Sequence, residues 1–137
     1  MRGPVMHLNM PMIDWTPFEA EFPLLFSGDG YVSRGAGQGW FQLLWGLCVD
    51  LEKLNRTRAE EGLPPLMVIQ IKEKFAELKV YLRPSNSEAR SRISLASIAS
   101  MRTCEWCGKP GNTCEIRGWY KTLCPAHELI AQIRRPS

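Results

Sequence analysis

Long hydrophobic runs are missing from this chain of 137 residues. No apolar stretch approaches the ~18 consecutive residues that a membrane-spanning helix needs. The first residues, MRGPVMHLNMPMID, also lack the continuous apolar centre of a secretory signal peptide, because Pro4 and Pro11 are among the residues that interrupt it. We therefore expect no membrane partner, and we expect residues 1–14 to form a flexible or loosely docked arm.

Histidine is scarce, and cysteine is absent from most of the chain. There are two His and five Cys residues, and four of the five cysteines lie in the last third. A disulfide framework would use an even number of cysteines, so this odd cluster instead indicates metal binding in a reducing, cytoplasmic compartment. His7 stands alone near the N-terminus, so no Ser/His/Asp or Cys/His nucleophilic set is available. The protein is therefore predicted not to be an enzyme.

A large net charge is also absent, but the existing charge is unevenly placed. The formal net charge is +3; residues 1–82 carry 8 Lys/Arg against 10 Asp/Glu, whereas residues 83–137 carry 9 against 4. The basic C-terminal half fits either an anionic partner or an ordinary solvated surface.

Glycine is concentrated in one stretch, SGDGYVSRGAGQG at 27–39, where we expect a loop or a hairpin with a glycine turn. It has no G-K-[ST] sequence, so it does not predict a phosphate-binding loop, and no small-molecule substrate is expected. The preceding segment, Trp15 to Phe26, is rich in aromatics. Thr16 is the expected cap of a short helix with Pro17 in its first turn, and the segment is expected to anchor on the core rather than form an exposed groove.

Residues 15–101 predict an α+β body. Apolar residues recur at helical spacing from Trp40 to Arg58, and Cys48 falls on this stripe as a small buried hydrophobe. Residues 66–83 fit a β-hairpin that turns near Glu73–Glu77, with one continuous helix as the alternative. A further helix is expected from Ser87 or Glu88 to about Met101.

The strongest signal is the stretch CEWCGKPGNTCEIRGWYKTLCPAH, which holds two pairs of metal ligands. Each pair places its two members three residues apart, so both can face one ion across a turn. Three thiolates and one imidazole complete a tetrahedral shell, which predicts one structural Zn²⁺ rather than a catalytic ion with an open position. Cys114 is left out of the shell, and Glu105 and Glu115 are expected to be solvated. The predicted ligands are Cys104, Cys107, Cys124 and His127.

Residues 102–137 are expected to fold around this ion as a finger. Gly108 permits the knuckle turn after Cys107, residues 114–116 and 119–123 pair as a hairpin around Gly118, and Pro125 opens a helix that runs to about Arg134. This order is a treble clef; a zinc ribbon is the alternative. The complete prediction is an α+β fold with helices on a small β-hairpin or sheet and a C-terminal treble-clef or zinc-ribbon-like finger.

The runs GWFQLLWGLC, VIQIKEKFAELKVYL and TCEWCGKPG…GWYKTLCPAH resemble a group of small proteins encoded by phages and prophages. That group carries a helix, a KEKF-containing strand region and a C-terminal CxxCGxPG…GW…TLCxxH element. The similarity covers residues 38–128 and departs at Ala76-Glu77, where two glycines are expected. It implies the host cell cytoplasm but no settled activity. The zinc element alone resembles the fingers of DksA/TraR-type transcription regulators, although His127 replaces the last Cys and no acidic-tipped coiled coil precedes it.

Two functions from different classes follow. The first is an interaction protein that binds a host or phage protein and inhibits or redirects host machinery, either a defence system such as CRISPR (an anti-CRISPR role) or transcription. Its aromatic anchors would be Trp106, Trp119 and Tyr120. The second is a nucleic-acid-binding zinc-finger regulator in which Trp119 or Tyr120 stacks on a base. The cations that would contact its phosphates are Arg102, Lys109, Arg117, Lys121, Arg134 and Arg135.

Overall fold

The part of the chain that the structure describes contains four α-helices and five β-strands, and the strands form two small sheets. The computed structural model describes residues 9–28 and 33–134. The α+β class, with helices beside small sheets, is confirmed. In chain order the elements are α1 (Thr16–Glu21), β1 (Ser33–Arg34), α2 (Phe41–Glu60), β2 (Val68–Lys74), β3 (Glu77–Leu82), α3 (Ser87–Ser100), β4 (Asn112–Ile116), β5 (Trp119–Leu123) and α4 (Pro125–Ile133).

The longest helix, α2, follows a 3-10 turn at Gln38–Trp40 and confirms the helix predicted over 40–58. Cys48 is buried on its core-facing side, as predicted, and burial raises the pKa of its thiol. The chain leaves the helix at Gly62, whose φ of 74° is a left-handed conformation that glycine adopts without steric cost. The apolar stripe that faces the core includes Leu44, Leu47, Cys48 and Leu51.

Residues 66–83 form the predicted β-hairpin and not the alternative helix. The turn lies at Phe75 and Ala76, which have φ values of 52° and 70° although neither is glycine. A left-handed conformation costs an L-residue about 1–2 kcal/mol. The Glu73 carboxylate offsets part of this cost because it accepts a hydrogen bond from the Ala76 amide at 2.7 Å.

A two-residue strand, β1, extends the hairpin into a three-stranded sheet of order β1-β2-β3. It runs parallel to β2, with Arg34 opposite Ile71, and the Gly35 amide donates a hydrogen bond to the Ile71 carbonyl at 2.9 Å. The prediction of a loop or a glycine-turn hairpin over 27–39 was therefore wrong at β1, which pairs with the distant β2, and at the 3-10 turn. Two residues are too few to show a hydrophobic period, and their pairing partners lie far along the chain.

The segment from Trp15 to Phe26 anchors on the core, as predicted. Pro17 lies in the first turn of α1, but Thr16 is not the cap: Trp15 occupies that position, and the Asp14 carboxylate accepts a hydrogen bond from the Thr16 amide at 3.0 Å. The helix carries the fully buried Phe18 into an aromatic cluster. The rings within 6 Å of Phe18 are those of Phe41 at 5.0 Å, Trp45 at 5.1 Å, Trp15 at 5.2 Å and Phe26 at 5.9 Å.

The predicted N-terminal arm is docked where the structure describes it. Met12 forms an isolated β-bridge with Gly37, and the Ile13 amide donates to the Ala36 carbonyl at 3.0 Å. Ile13 is buried in the main core. Residues 1–8 of the predicted arm lie outside the described residues.

Helix α3 matches the predicted third helix and packs against both α2 and β3. The Asn86 side chain caps it by accepting a hydrogen bond from the Ala89 amide at 2.8 Å. Two hydroxyls then join the helix to β3. The Ser100 hydroxyl accepts from the Leu78 amide at 2.9 Å, and the single hydrogen of the Ser97 hydroxyl is shared between the Leu78 carbonyl at 2.9 Å and the Glu77 carboxylate.

Candidate metal centre

The first ligand pair lies on a tight turn that begins at Cys104. The Gly108 amide donates a hydrogen bond to the Cys104 carbonyl at 2.9 Å, and the Cys104 amide donates to the Lys109 carbonyl at 2.8 Å. Gly108 has a φ of 82°, a conformation that glycine adopts more readily than any other residue. The turn folds the chain back after Cys107, as expected for a metal-binding knuckle.

The second ligand pair lies where β5 ends and α4 begins. Cys124 is the N-cap residue of α4, and its Sγ accepts a hydrogen bond from the His127 amide at 3.4 Å. Pro125 occupies the first turn, where its missing amide proton costs nothing. The knuckle, the β4–β5 hairpin and the ligand-bearing helix α4 follow one another in the order of the predicted treble clef. The second ligand pair lies at the start of a helix, whereas in a zinc ribbon it would lie on a second hairpin.

The four predicted ligands come together. Their donor atoms all lie within 4.8 Å of one another. Cys107 Sγ is 3.7 Å from Cys124 Sγ, and His127 Nδ1 is 3.7 Å from Cys104 Sγ and 3.3 Å from Cys124 Sγ. Zn–S bonds of about 2.3 Å and Zn–N bonds of about 2.0–2.1 Å place tetrahedral ligand atoms about 3.5–3.8 Å apart. A disulfide would require about 2.05 Å, so these atoms fit one metal ion rather than a cross-link.

The surroundings of the ligands affect their protonation. Burial raises the pKa of the Cys104 thiol to about 11. Burial also acts to raise the pKa of Cys124, but hydrogen bonds from the His127 and Ala126 amides and from Cys107 and Cys104 together outweigh it, so that pKa is lowered overall. Burial lowers the pKa of His127 and favours the neutral imidazole that binds metals. A bound cation would stabilise the Cys104 thiolate, which burial alone disfavours.

Trp106 covers the ligand imidazole. Its ring stacks on His127 with centroids 4.4 Å apart and planes 12° apart, and the Arg134 guanidinium lies 5.0 Å from the Trp106 centroid. Aromatic pairs of this kind contribute about 0.5–1.5 kcal/mol beyond area burial. Trp106 was predicted to anchor a protein partner. In the structure its ring stacks on His127 and orients this predicted metal ligand.

The other residues predicted to bind a partner have different environments. Lys109 is exposed, and Tyr120 is 50% exposed. Trp119 is half-buried and packs against the small core of the finger. The Arg117 guanidinium donates to two backbone carbonyls in the last turn of α4, at 3.0 and 2.6 Å, so it caps that helix. Arg135 lies outside the described residues.

Lys121 does not belong to an exposed binding surface, contrary to prediction. Its side chain is 4% exposed, and its ammonium forms an ion pair with the Glu73 carboxylate at 3.1 Å. Glu73 lies on β2, so this ion pair joins the finger to the body. The sequence did not reveal it because the two residues are 48 positions apart.

Glu105 was expected to be solvated, and this too was wrong, because it is 2% exposed. Its Oε2 accepts a hydrogen bond from the Gly37 amide at 2.9 Å, and its backbone carbonyl accepts one from the Gly39 amide at 2.7 Å. Burial raises the pKa of this carboxyl to about 7, against the opposing effect of the nearby Lys121 charge. Glu115, in contrast, is exposed as expected, and Cys114 lies outside the ligand group.

The contacts of Gly37, Gly39 and Trp40 with residues 103–105 form a seam between body and finger. The Trp40 indole N–H donates to the Thr103 carbonyl at 2.8 Å. A Cβ on Gly39 would lie 2.1 Å from the Cys104 carbonyl oxygen, so the seam leaves no room for a side chain there. Cys104, the first predicted metal ligand, therefore lies directly at the contact between the finger and the body.

Comparison with known proteins gives no assignment for this fold or site: no family model matches the chain, and no similar curated protein or solved structure was found. Within residues 9–28 and 33–134, no helix has both the length and the apolar character to cross a membrane.

Proposed function

We propose that Cys104, Cys107, Cys124 and His127 bind one structural Zn²⁺. The observation that carries this proposal is the closed set of four donor atoms within 4.8 Å of one another. Three sulfurs and one imidazole nitrogen are a ligand set that zinc accepts in tetrahedral geometry. The ion would supply order that burial alone cannot, because the finger has a small apolar core. The buried residues of that core are Cys104, Ile116, Leu123, Cys124 and Ala131.

Native mass spectrometry with paired cysteine variants tests the metal. Wild-type protein should carry one zinc per chain, and Cys107→Ser should lose it, because an alcohol is a much weaker zinc ligand than a thiolate. Cys114→Ser is the matched control: it changes a thiol in the same finger that lies outside the ligand group, and it should retain one zinc. Equal zinc content in both variants would contradict the proposed ligand set.

We further propose that the protein acts without catalysis, by binding another protein. Four protein ligands leave no open position on the ion for substrate or water, which a catalytic zinc site needs. The finger also exposes large apolar side chains. Leu129 and Ile133 are 62% and 73% exposed and lie four positions apart, on one face of α4. Exposed apolar groups that share a face are typical of protein-binding surfaces.

The structure gives less support to the nucleic-acid alternative. Lys121 is buried in an ion pair, Arg117 caps α4, and Arg134 lies over Trp106. Among the described members of the predicted phosphate-binding set, Arg102 and Lys109 are exposed without such a contact. Arg117 and Arg134 are also exposed, so the footprint consists of four cations, which is small for a nucleic-acid binder.

The resemblance to phage- and prophage-encoded proteins supports a more specific proposal for the partner. A phage-encoded protein of this kind would bind host machinery in the host cytoplasm and inhibit or redirect it. The proposed target is either a defence system such as CRISPR or the transcription apparatus. The apolar face of α4, not the basic residues, is the surface proposed to make the contact.

An affinity experiment with surface variants separates the two classes of partner. A specific host protein should co-purify with zinc-loaded wild type and be lost with Leu129→Ser/Ile133→Ser. Leu95→Ser on α3 is the control, because Leu95 is similarly exposed at 63%, and it should retain the partner. Retention by the α4 variant would contradict the proposed surface. Binding to DNA or RNA that falls steeply as salt rises would favour the nucleic-acid alternative instead.

A further inference from the structure

The three cysteines among the predicted zinc ligands differ in exposure. Cys107 is exposed, whereas Cys104 and Cys124 are 0% and 5% exposed. Cys107 and its neighbour Gly108 also line a pocket of about 610 Å³ beside the seam between body and finger. Small molecules in solution therefore have more access to Cys107 than to the other two cysteine ligands.

A second sulfur lies close to that of Cys107. The Cys107 Sγ is 3.7 Å from the Cys124 Sγ. The third sulfur, that of Cys104, instead has His127 Nδ1 at 3.7 Å, and the Cys104 amide and carbonyl are both hydrogen-bonded within the knuckle. A disulfide needs a separation of about 2.05 Å, so only a short approach separates Cys107 and Cys124 from a covalent bond.

Zinc ligation would keep these sulfurs in their reactive form. A cysteine that binds a metal is deprotonated, and the thiolate rather than the thiol reacts with oxidants. The two cysteines outside the ligand group, Cys48 and Cys114, have the opposite setting. Burial raises the pKa of both thiols, so both stay protonated and less reactive.

We propose that Cys107 and Cys124 are the site at which a hydroperoxide oxidises the finger, and that their disulfide takes the place of the zinc ion. This inference rests on the proposed zinc site. The Cys107 thiolate attacks one peroxide oxygen, so that an S–O bond forms, the O–O bond breaks and hydroxide or alkoxide leaves. The Cys124 thiolate then attacks the Cys107 sulfur, which forms the S–S bond and expels a hydroxide. The two thiolates lose two electrons, and the peroxide gains them.

The reaction would act on the proposed partner surface through α4. The disulfide removes two of the four ligands, so the site no longer holds the ion. It also changes the first turn of α4, where the Cys124 Sγ accepts a hydrogen bond from the His127 amide at 3.4 Å. A helix of nine residues does not persist in water without such support. Oxidation therefore removes the helix that exposes Leu129 and Ile133.

Hydrogen peroxide added to the zinc-loaded full chain tests the reaction, with a chromogenic chelator to report free zinc. One zinc per chain should be released, and the metal-free chain should be two hydrogen atoms lighter than its reduced form by intact-mass measurement. Retention of zinc at millimolar peroxide would overturn the inference and leave the zinc site intact. A chain that carries no zinc before peroxide is added would refute the zinc site and this inference together.

Tryptic digestion identifies the bond, once the remaining thiols have been alkylated. Trypsin cuts after Lys and Arg except before proline, so Cys107 falls in fragment 103–117 and Cys124 in fragment 122–134. A Cys107–Cys124 disulfide joins these two fragments, whereas a Cys104–Cys107 disulfide stays within the first. Joined fragments are the expected result, and a bond confined to 103–117 would contradict the assignment.

Cys114→Ser is the matched variant, because Cys114 shares fragment 103–117 but lies outside the ligand group. It should release zinc as fast as wild type and give the same joined fragments. Loss of the joined fragments in this variant would show that Cys114 forms the bond in place of Cys107. Dimedone, which traps sulfenic acids, should label Cys107 when it is present during the wild-type reaction. Label on Cys104 or Cys124 instead would rule out the proposed order of attack.

Discussion

Replacing Gly39 by alanine should weaken the attachment of the finger to the body. The added Cβ would lie 2.1 Å from the Cys104 carbonyl oxygen and 2.6 Å from the carbonyl atoms of Glu105. Real Cβ atoms do not approach backbone this closely, so the seam must open. The effect is steric, since Gly39 lies in a 3-10 turn and not in the left-handed region.

The magnitude follows from the contacts that the seam would lose. Three hydrogen bonds cross it: the Gly39 amide to the Glu105 carbonyl at 2.7 Å, the Gly37 amide to Glu105 Oε2 at 2.9 Å, and the Trp40 indole to the Thr103 carbonyl at 2.8 Å. Each neutral bond contributes about 1 kcal/mol, and a bond to a charged group about 1.5–3 kcal/mol. We expect Gly39→Ala to lower the free energy of unfolding by about 3–5 kcal/mol.

Urea unfolding of the zinc-loaded protein measures this change, and Gly46→Ala is the matched control. Gly46 is exposed inside α2, and a Cβ there would meet no heavy atom within 4 Å. The same substitution should therefore stabilise the protein by about 0.5–1 kcal/mol, because alanine favours the helix. If Gly39→Ala changed the unfolding free energy by less than about 0.5 kcal/mol, the tight backbone approach at the seam would be refuted.

Three further substitutions test other contacts. Phe75→Gly should raise the free energy of unfolding by about 0.5–1 kcal/mol, because it removes an L-residue from a left-handed conformation. Phe75→Ala keeps the strained backbone and should give no such gain. Equal effects of the two substitutions in thermal unfolding would contradict this. Lys121→Met should cost about 1–3 kcal/mol in urea unfolding because it leaves the Glu73 carboxylate, which is 14% exposed, without its cation, and adding Glu73→Gln should recover most of the loss; no recovery would argue against the ion pair. Hydrogen bonds from Ser97 and Lys79 lower the pKa of Glu77 below its ordinary value of 4.5. Its stabilisation is therefore present above pH 4.5 and lost as the pH falls through the lowered value. In acid, the free energy of unfolding should therefore fall more for wild type than for Glu77→Gln. Parallel curves of unfolding free energy against pH for the two proteins would contradict this.

Local patterns were sufficient to predict the four helices, the two hairpins and the metal cluster. The 3.6-residue period from Trp40 to Arg58, the β-branched run before Phe75 with the alternation after it, and two ligand pairs at three-residue spacing each depend on neighbours in the sequence. These features are specified by residues that are close along the chain. Their geometry therefore follows from local rules.

The features that could not be predicted depend on contacts between distant residues. Glu105 bonds to Gly37 across 68 positions, and Lys121 pairs with Glu73 across 48. In sequence both are charged residues in a polar finger, for which exposure is the ordinary expectation. Only the docking of the finger on the sheet buries them. Strand β1, with two residues, depends equally on its distant neighbour β2.

The cap that Arg117 places on the last turn of α4 ties two elements of the finger into one cooperative unit. The helix has nine residues, too few to persist in water by itself. Its first turn is held by Cys124 and its last by a side chain from the tip of the β4–β5 hairpin. Neither end is left to fray independently, so the amide protons of α4 should exchange with solvent in a single concerted opening that includes the hairpin.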